Sequence, residues 1–382
     1  MSAPLGGLLV ADFSRVLAGP SASMLLADLG ADVVKVERPG VGDDTRAWGP
    51  PWTERTSSYF ESVNRSKRSV VLDLGDAADR ALARELIARA DVLLENFRTG
   101  TMERFGLGYD DVRAMNPGLV YCSLTGFGSA AGASLPGYDF VVQAVGGLMS
   151  ITGDPDGPPT KVGVALVDVL AGKDALIGIL AALMDRHRTG LGQHIEVNLL
   201  STLLSSLVNQ ASAHLTTGEP PGRMGNQHPS IAPYETLRCG EGILAVAVGN
   251  DGQFRRLAAW LGRADLADDP RFATNAERVR HRAELVVELE AALAQRSAAE
   301  WQRELTAADV PAGVVGDVGA ALDLAAALGL EPTEDVGGGH PPQIRHPITY
   351  SRSRVAPATP PPGLGEHDDE IRQWLAEERN QE

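Results

Sequence analysis

The stretch 7–40, "GLLVADFSRVLAGPSASMLLADLGADVVKVERPG", predicts the fold of the chain. Its first part, "GLLVADF" (7–13), is a short apolar run that is typical of a buried strand. The next part, "GPSASMLLADLG" (19–30), has a helical period and stops at Gly30, a residue type favoured just past a helix end. The last part, "ADVVKVERPG" (31–40), is a second strand that a Pro-Gly pair closes. Units of this β-α-β kind build parallel sheets.

The same alternation continues beyond this unit. Strands are predicted at 68–74, 90–97 and 119–128, and helices at 76–90 and 101–105. The pattern predicts an α/β fold with a Rossmann-like, doubly wound large domain. The turn after the first strand is not G-x-G-x-x-G, so it only weakly indicates a nicotinamide dinucleotide site.

A chain of 382 residues exceeds the size at which a single core usually stops growing, so two domains are expected. Gly and Pro are dense between Thr216 and Ser230, which indicates a linker. We predict a large α/β domain over 1–215, this linker over 216–230, a small α+β domain over 231–310, a second linker over 311–340, and a C-terminal part, 341–382, that returns to the large domain.

Three other segments carry specific predictions. Residues 173–188 are apolar almost all round, which predicts a buried helix. Residues 310–318 resemble a strand that returns toward the large domain. Residues 369–378 are predicted to form a helix with Ile371, Trp374 and Leu375 on one face.

Composition excludes several classes of protein. Hydrophobic residues make up 43% and charged residues 22%, as in globular domains, and the net charge of −16 argues against a nucleic-acid partner. No run reaches the roughly 18 apolar residues of a membrane span, and the N-terminus lacks a basic signal-peptide region. The two cysteines, Cys122 and Cys239, form no metal-spaced cluster. We therefore expect a cytoplasmic protein without a membrane partner or a metal.

Positive charge concentrates in one segment of this acidic chain. Residues 35–68 contain seven Lys/Arg against five acids. A local basic patch favours a small anionic ligand over a charged polymer.

Asp168 is the first catalytic candidate. It is the single carboxylate in the apolar run "VGVALVDVLAG" (162–172), and a buried charge is costly unless it is paired or used. It could cap the helix that follows, or it could act as a nucleophile that the helix dipole keeps ionised. The residues alone leave both interpretations open.

Two further groups are candidates. Tyr138 and Asp139 begin a predicted amphipathic helix, where they could act in chemistry or serve as a cap and a packed tyrosine. Asn96 ends a predicted strand, and Arg98 and Arg104 follow it; either they bind an anion or they form a solvated turn.

Taken together, these segments resemble the family III CoA-transferases. The matching segments occur in order along nearly the whole chain: "VADFSRVLAGP" (10–20), "LADLGADVVKVERPGVGDDTR" (26–46), "NRSKRSVVLDL" (64–74), "ADVLLENFRTGTMERFGLGY" (90–109), "NPGLVYCSLTGFG" (116–128), "PGYDFVVQAVGG" (136–147), "RTGLGQHIEVNLL" (188–200) and "GNQHPSIAPYETLRCGEG" (225–242).

The resemblance implies an enzyme that moves CoA from an acyl-CoA donor to a carboxylic acid. It assigns Asp168 as the nucleophile, through an aspartyl anhydride and a CoA thioester, with Tyr138 and Asp139 beside it. Coenzyme A is implied as substrate, with no covalently bound cofactor. The implied CoA contacts are Leu17, Ala18, Arg38, Leu72, Asn96, Phe97, Arg98 and Arg104.

The resemblance also narrows the substrates. Formyl-CoA transferase has a glutamine where Leu17 stands and a lysine near Pro136, so this chain departs from the oxalate-specific pattern. Residues 225–242 resemble the succinate-donating dicarboxylate branch. The resemblance further implies an interlocked homodimer.

Two alternatives belong to other classes. The related α-methylacyl-CoA racemase moves an α-proton with a histidine that corresponds to Tyr138, so its base is absent here. A non-catalytic CoA-binding subunit is the other alternative, and retention of Asp168 argues against it.

Overall fold

The computed structural model describes residues 3–377. Its strands are β1 (Leu9–Asp12), β2 (Asp32–Glu37), β3 (Arg68–Val71), β4 (Val92–Glu95), β5 (Val120–Thr125), β6 (His194–Asn198), β7 (Tyr234–Arg238), β8 (Ile243–Ala247), β9 (Ala312–Val314), β10 (Thr333–Glu334) and β11 (Gln343–Ile344). Its helices are α1 (Ala18–Asp28), α2 (Ser58–Glu61), α3 (Ala77–Arg89), α4 (Thr101–Arg104), α5 (Tyr109–Val112), α6 (Asp139–Val145), α7 (Leu148–Ile151), α8 (Leu166–Thr189), α9 (Leu199–Ser206), α10 (Val208–Thr217), α11 (Asp251–Trp260), α12 (Asp265–Asp268), α13 (Asn275–Arg280), α14 (Arg282–Leu293), α15 (Ala298–Ala307), α16 (Val318–Ala327) and α17 (Asp368–Glu377).

The chain forms two compact units. The first unit runs to Leu148, resumes over Val162–Thr216 and resumes again from Glu331; the second comprises Met149–Lys161 and Thr217–Leu330. The large unit is therefore built from three separate stretches of sequence.

A six-stranded parallel sheet forms the centre of the first unit, and the predicted α/β class is confirmed. The strand order is β3-β2-β1-β4-β5-β6. The central strands are continuous apolar runs, such as Val92–Leu94, because both faces of a parallel sheet are covered. The order changes direction between β1 and β4, and open α/β sheets bind ligands at such points, beyond the carboxyl ends of the strands.

Helices α1 and α8 pack closely on one face of the sheet. A Cβ atom at Gly172 would lie 2.3 Å from Ser21 Oγ and 2.7 Å from the carbonyl oxygen of Ala18. Only glycine lets the two backbones approach this far. This contact fixes the N-terminal half of α8 against the turn that leads from β1 into α1.

Helix α8 differs from the buried helix predicted at 173–188. It begins earlier, at Leu166, and it buries one stripe of small and branched residues rather than its whole surface. On the other side, Ile177 is 63% and Met184 is 73% exposed. The predicted helix is confirmed, but the prediction that it is buried was wrong, because an apolar composition does not show which face has a neighbour.

The second unit contains an antiparallel sheet of order β7-β8-β9, surrounded by helices. The predicted strand at 310–318 is found as β9, but it pairs with β8 instead of returning to the large sheet. A two-stranded hairpin is marginally stable, and a third strand supports it. Helix α16 has no buried residue; its Val318 and Leu324 are 79% and 58% exposed, and Leu328, which follows the helix as its C-cap, is 65% exposed.

Helix α17 returns to the large unit and covers the edge strand β3. His367 Nδ1 accepts from the Ser69 N–H at 3.2 Å, and Asp368 Oδ1 accepts from the Val71 N–H at 2.7 Å. Ile371 and Leu375 are buried, as predicted for this tail helix; the predicted last residue, Glu378, lies outside the described residues. Among residues 3–377, no helix is both long and apolar enough to cross a membrane.

Candidate active site

A cleft of about 190 Å³ opens at the carboxyl ends of β1, β4 and β5 in the first unit. Loops that are distant in sequence form its walls, and it brings together seven of the predicted site residues. These are Leu17, Ala18, Asn96, Phe97, Arg98, Tyr138 and Asp168.

Asp168 lies in the first turn of α8 rather than at its N-cap. The N-cap residue is Ala165, which has no side chain able to cap. The capping interpretation of Asp168 is therefore wrong. Its carboxylate is left facing the cleft, without an N–H group of its own helix to bind.

Asp139 supplies the missing cap from another helix. Its Oδ1 accepts from the backbone N–H of Val167 at 2.8 Å and from that of Asp168 at 3.3 Å. Its Oδ2 accepts from Gln143 Nε2 at 2.7 Å, and Gln143 Oε1 in turn accepts from the Val162 N–H at 2.9 Å. Asp139 thus holds the backbone of the turn that carries Asp168. It is not among the described residues that line the cleft.

The pKa of the Asp168 carboxyl is raised to about 7. Burial is the largest cause, and the nearby negative charge of Asp139 adds to it. Desolvation and a like charge thus oppose the helix dipole, which was expected to keep Asp168 ionised. Titratable groups with such shifts are typical of functional sites.

Tyr59 lies close to Asp168, and it was not among the residues predicted from the sequence. Its ring packs in a small cluster with Ala165 and Val169, the residues on either side of the Asp168 turn. Burial raises the pKa of its hydroxyl to about 12, with a further contribution from the charge of Asp168. Tyr59 is therefore a neutral hydrogen-bond donor near the candidate nucleophile at physiological pH.

Tyr138 is neither a side-chain cap nor a packed tyrosine, the two structural roles considered for it. It is the N-cap residue of α6 by backbone position, but its side chain makes no capping hydrogen bond. The side chain is 60% exposed at the wall of the cleft. Its hydroxyl is therefore accessible to a ligand.

The turn after β1 forms the floor of the cleft, and side chains from elsewhere hold it. Asn96 Oδ1 accepts from the Arg15 N–H at 2.8 Å, and Asn96 Nδ2 donates to the Arg15 carbonyl at 2.7 Å. The next residue, Val16, has φ of +71°, which is strained for a β-branched side chain. Both carboxylate oxygens of Asp43 lie 3.3 Å from the Val16 nitrogen. Asn96 is therefore a positioning residue for this turn.

A second cleft of about 200 Å³ adjoins the first. Arg38 and Leu72, two of the predicted CoA contacts, line it at the carboxyl ends of β2 and β3. Arg15 and Phe97 line both clefts, so the two spaces meet beside these side chains. Together they can accommodate an elongated ligand.

Two predicted arginines are placed differently from the rest. Arg98 is exposed at the rim of the first cleft. Arg104 lies on α4, where its Nη2 donates to Thr101 Oγ1 at 3.2 Å. Among the described residues, Arg104 lines neither of these two clefts.

Three of the seven basic residues of 35–68 are buried in ion pairs, namely Lys35, Arg65 and Lys67. Lys35 Nζ lies 2.9 Å from Asp43 Oδ2, and Lys67 Nζ lies 3.2 Å from Asp12 Oδ2, all four side chains being fully buried. Burial lowers the pKa of Lys67 to about 8 although Asp12 opposes this shift. The predicted basic patch is thus in part an internal network of ion pairs beneath the turn after β1, while Arg38 and Arg55 are exposed.

No group of three or more His, Cys, Asp or Glu side chains is placed to hold a metal ion within residues 3–377.

Glycines shape the cleft where two loops touch. A Cβ at Gly126 would lie 2.4 Å from the Cα of Gly137. Both residues line the cleft, so its width there depends on the absence of side chains.

Comparison with known proteins supports one family. The sequence profile of CoA-transferase family III matches residues 5–368. The chain is 43% identical to the succinate–glutarate CoA-transferase of Agrobacterium fabrum, over 96% of this chain and 94% of that protein. It is 43% identical to the acetyl-CoA:oxalate CoA-transferase of Acetobacter aceti, over 84% of this chain and 83% of that one.

The solved structures agree with this result. The crystal structure of a CAIB/BAIF family protein from Brucella suis matches with a TM-score of 0.88 and 44% identity, covering 98% of this chain and 100% of that one. The chain therefore belongs to CoA-transferase family III, as its sequence motifs predicted, and it is a CoA-transferase.

Proposed function

We propose that the enzyme moves CoA from an acyl-CoA donor to a carboxylic acid, with Asp168 as the covalent nucleophile. The observation that supports this proposal is the position of Asp168: a half-buried carboxyl that faces the cleft and whose backbone is held by Asp139. Relatives named for glutarate and for oxalate support a dicarboxylic acid as one substrate. The resemblance of 225–242 to the succinate-donating branch supports succinyl-CoA as donor.

The reaction consists of four balanced acyl transfers. The Asp168 carboxylate attacks the thioester carbonyl; a C–O bond forms, the C–S bond breaks, and CoA leaves as thiolate. The thiolate attacks the Asp168 carbonyl of this anhydride, which releases the donor acid and leaves an aspartyl-CoA thioester. The acceptor carboxylate then displaces the thiolate to form a second anhydride. Attack of the thiolate on the acceptor carbonyl gives the new acyl-CoA and regenerates Asp168.

The site has two features that suit this chemistry. Partial burial limits water, which would hydrolyse an anhydride. Tyr59, Tyr138 and the backbone of the glycine-lined loop are possible hydrogen-bond donors for the oxygen that becomes negative at each addition step. The Asp168 carboxyl is not compensated by an ion pair with any described residue, so ionisation leaves it reactive.

Coenzyme A is proposed to extend from the second cleft to the first. The apolar wall around Leu72 suits the adenine ring, and Arg38 suits a phosphate. The pantetheine arm would pass Phe97 and reach Asp168. The strand order 3-2-1-4-5-6 supports the Rossmann-like assignment of this domain. Arg98, at the rim of the first cleft, and Arg104, on α4, are proposed as phosphate contacts.

Trapping the covalent adduct tests this proposal. With an acyl-CoA donor and no acceptor, hydroxylamine or borohydride should capture an acyl or CoA adduct on the peptide 161–173, as read by mass spectrometry. Asp168→Asn is the matched control and should show no adduct. A racemase would instead exchange the α-proton for solvent deuterium without any adduct. The absence of both signals, with CoA still bound, would favour a non-catalytic CoA-binding subunit.

The pH dependence of the reaction provides a second prediction. Because the nucleophile is the ionised carboxylate, kcat/KM should rise with pH through an apparent pKa of about 7 and then level off. Asp139→Asn keeps an oxygen for the helix N–H groups but removes the negative charge, so the apparent pKa should fall. Asp174→Asn, on the same helix but bonded to Thr202, is the control and should leave the profile in place. An unchanged pH profile in Asp139→Asn would contradict the assignment that the charge of Asp139 raises the pKa of Asp168.

A homodimer is also proposed. Helix α16 consists largely of Ala, Leu and Val, yet none of its residues is buried. Extended apolar surfaces of this kind are usually covered by a partner. A second copy of the chain is the partner that the interlocked arrangement of the family provides.

A further inference from the structure

The side chain of Arg15 lies between the two clefts, and part of its guanidinium has no hydrogen-bond partner within residues 3–377. Nη1 lies 3.3 Å from Asp44 Oδ2, and the guanidinium carbon lies 5.1 Å from the centre of the Phe97 ring. Nε is buried and has no hydrogen-bond partner among residues 3–377. No hydrogen bond within that part of the chain engages Nη2. Nε and Nη2 therefore have no protein partner within residues 3–377, although Nε is itself covered by the surrounding atoms.

Asp44, the carboxylate that Arg15 binds, also binds a second arginine. Asp44 also accepts a short hydrogen bond from Arg38 Nη2, so its charge is compensated without Arg15. An arginine that shares its carboxylate in this way retains positive charge for a second anion.

The backbone around Arg15 is fixed, which determines where its side chain begins. Asn96 binds both the N–H and the carbonyl of Arg15. The Asp43 carboxylate, itself paired with buried Lys35, faces the N–H of the strained Val16. Strain of this kind persists only where surrounding contacts enforce it, and it is concentrated at functional sites.

Arg15 is also close in sequence to the residues that contact the Asp168 turn. Val16 and Leu17 pack in one cluster with Ala165 and Val169, on either side of Asp168. Arg15 and Asp168 line the same cleft. The cleft that Asp168 lines therefore continues to the unpaired guanidinium nitrogens of Arg15.

We propose that Arg15 binds the distal carboxylate of a dicarboxylic acid, or of its CoA ester, while the other carboxyl group reacts at Asp168. This inference rests on the proposed function and names its specificity-determining residue. Two parallel N–H groups match the two oxygens of a carboxylate, a pairing that arginine makes and lysine does not. The other cation of this cleft, Arg98, is exposed at the rim, so Arg15 is the better placed to pair with a carboxylate inside.

The test compares acceptors of equal length. The ratio of kcat/KM for glutarate to that for valerate is measured with one common acyl-CoA donor, so any effect on the donor cancels. Arg15→Met should lower this ratio about 10- to 100-fold, the range for loss of a charged hydrogen-bonding partner. Arg15→Lys should lower it less, because it keeps the charge but not the planar fork. Arg98→Met is the matched control and should leave the ratio unchanged.

The outcomes separate this inference from the proposed function. If Arg15→Met slows both acceptors equally, Arg15 acts on CoA or on the fold, and the inference is wrong. It is also wrong if the wild-type enzyme does not favour the dicarboxylate. If the wild-type enzyme transfers CoA to no acid with any donor, the proposed function fails instead.

Discussion

Replacing Asp168 with asparagine is expected to lower kcat for CoA transfer by at least about 1000-fold, because an amide cannot form the anhydride. The side chain keeps its size, and the cap that holds this turn comes from Asp139, so the fold should remain. The measurement is the rate of new acyl-CoA formation with saturating donor and acceptor. Activity above about one per cent of the wild type would exclude the covalent route.

The same substitution should alter stability in a pH-dependent manner. Burial raises the pKa of Asp168 to about 7, above its value of about 4 in an unfolded chain. The protonated carboxyl therefore stabilises the fold below about pH 4, and this contribution is lost as pH rises through about 7. Asp168→Asn should match the wild type in Tm at low pH and exceed it at pH 8. Equal Tm values for the variant and the wild type both at low pH and at pH 8 would show that burial does not destabilise the ionised carboxyl.

The second large effect concerns subunit exchange. If two copies are threaded through one another, they cannot separate without unfolding. Mixing two folded pools with different tags should then give no hybrid dimers over days, as read by native mass spectrometry. Mixing the pools in denaturant and refolding them together is the control, and it should give hybrids at the statistical ratio.

Two outcomes would contradict this prediction. Hybrids that appear within hours would leave a conventional dimer but exclude interlocked chains. A monomer at micromolar concentration would leave the exposed apolar side chains of α16 without the proposed partner.

The fold could be predicted because its signals are local. The run 7–40 carries a strand, a helix with a glycine stop and a second strand, and all three are found as β1, α1 and β2. The tail helix was predicted for the same reason: Ile371 and Leu375 repeat at a helical interval and are buried. Each of these patterns depends only on neighbours within a few positions.

The site could be predicted only in part, because its decisive contacts are non-local. The cap of α8 comes from Asp139, 28 positions before Val167, so no local pattern excluded Asp168 as the cap. The basic residues of 35–68 were predicted to form a patch for a small anionic ligand. Lys67, however, is paired with Asp12, which lies 55 positions away. Arg15 had no distinguishing signal in the sequence, because its unpaired guanidinium nitrogens depend on which residues the fold places around it.

The covering of β3 by α17 has a consequence for how the protein is made. β3 is the outermost strand of the large sheet, and an open sheet edge readily pairs with other chains. The acceptor that binds the Val71 N–H, Asp368, is translated 297 residues later. During synthesis the large unit therefore exposes a bare strand edge while the whole of the second unit emerges from the ribosome. Chaperones that shield nascent chains should matter most for this protein in that interval, and a truncation before α17 would leave the edge open permanently.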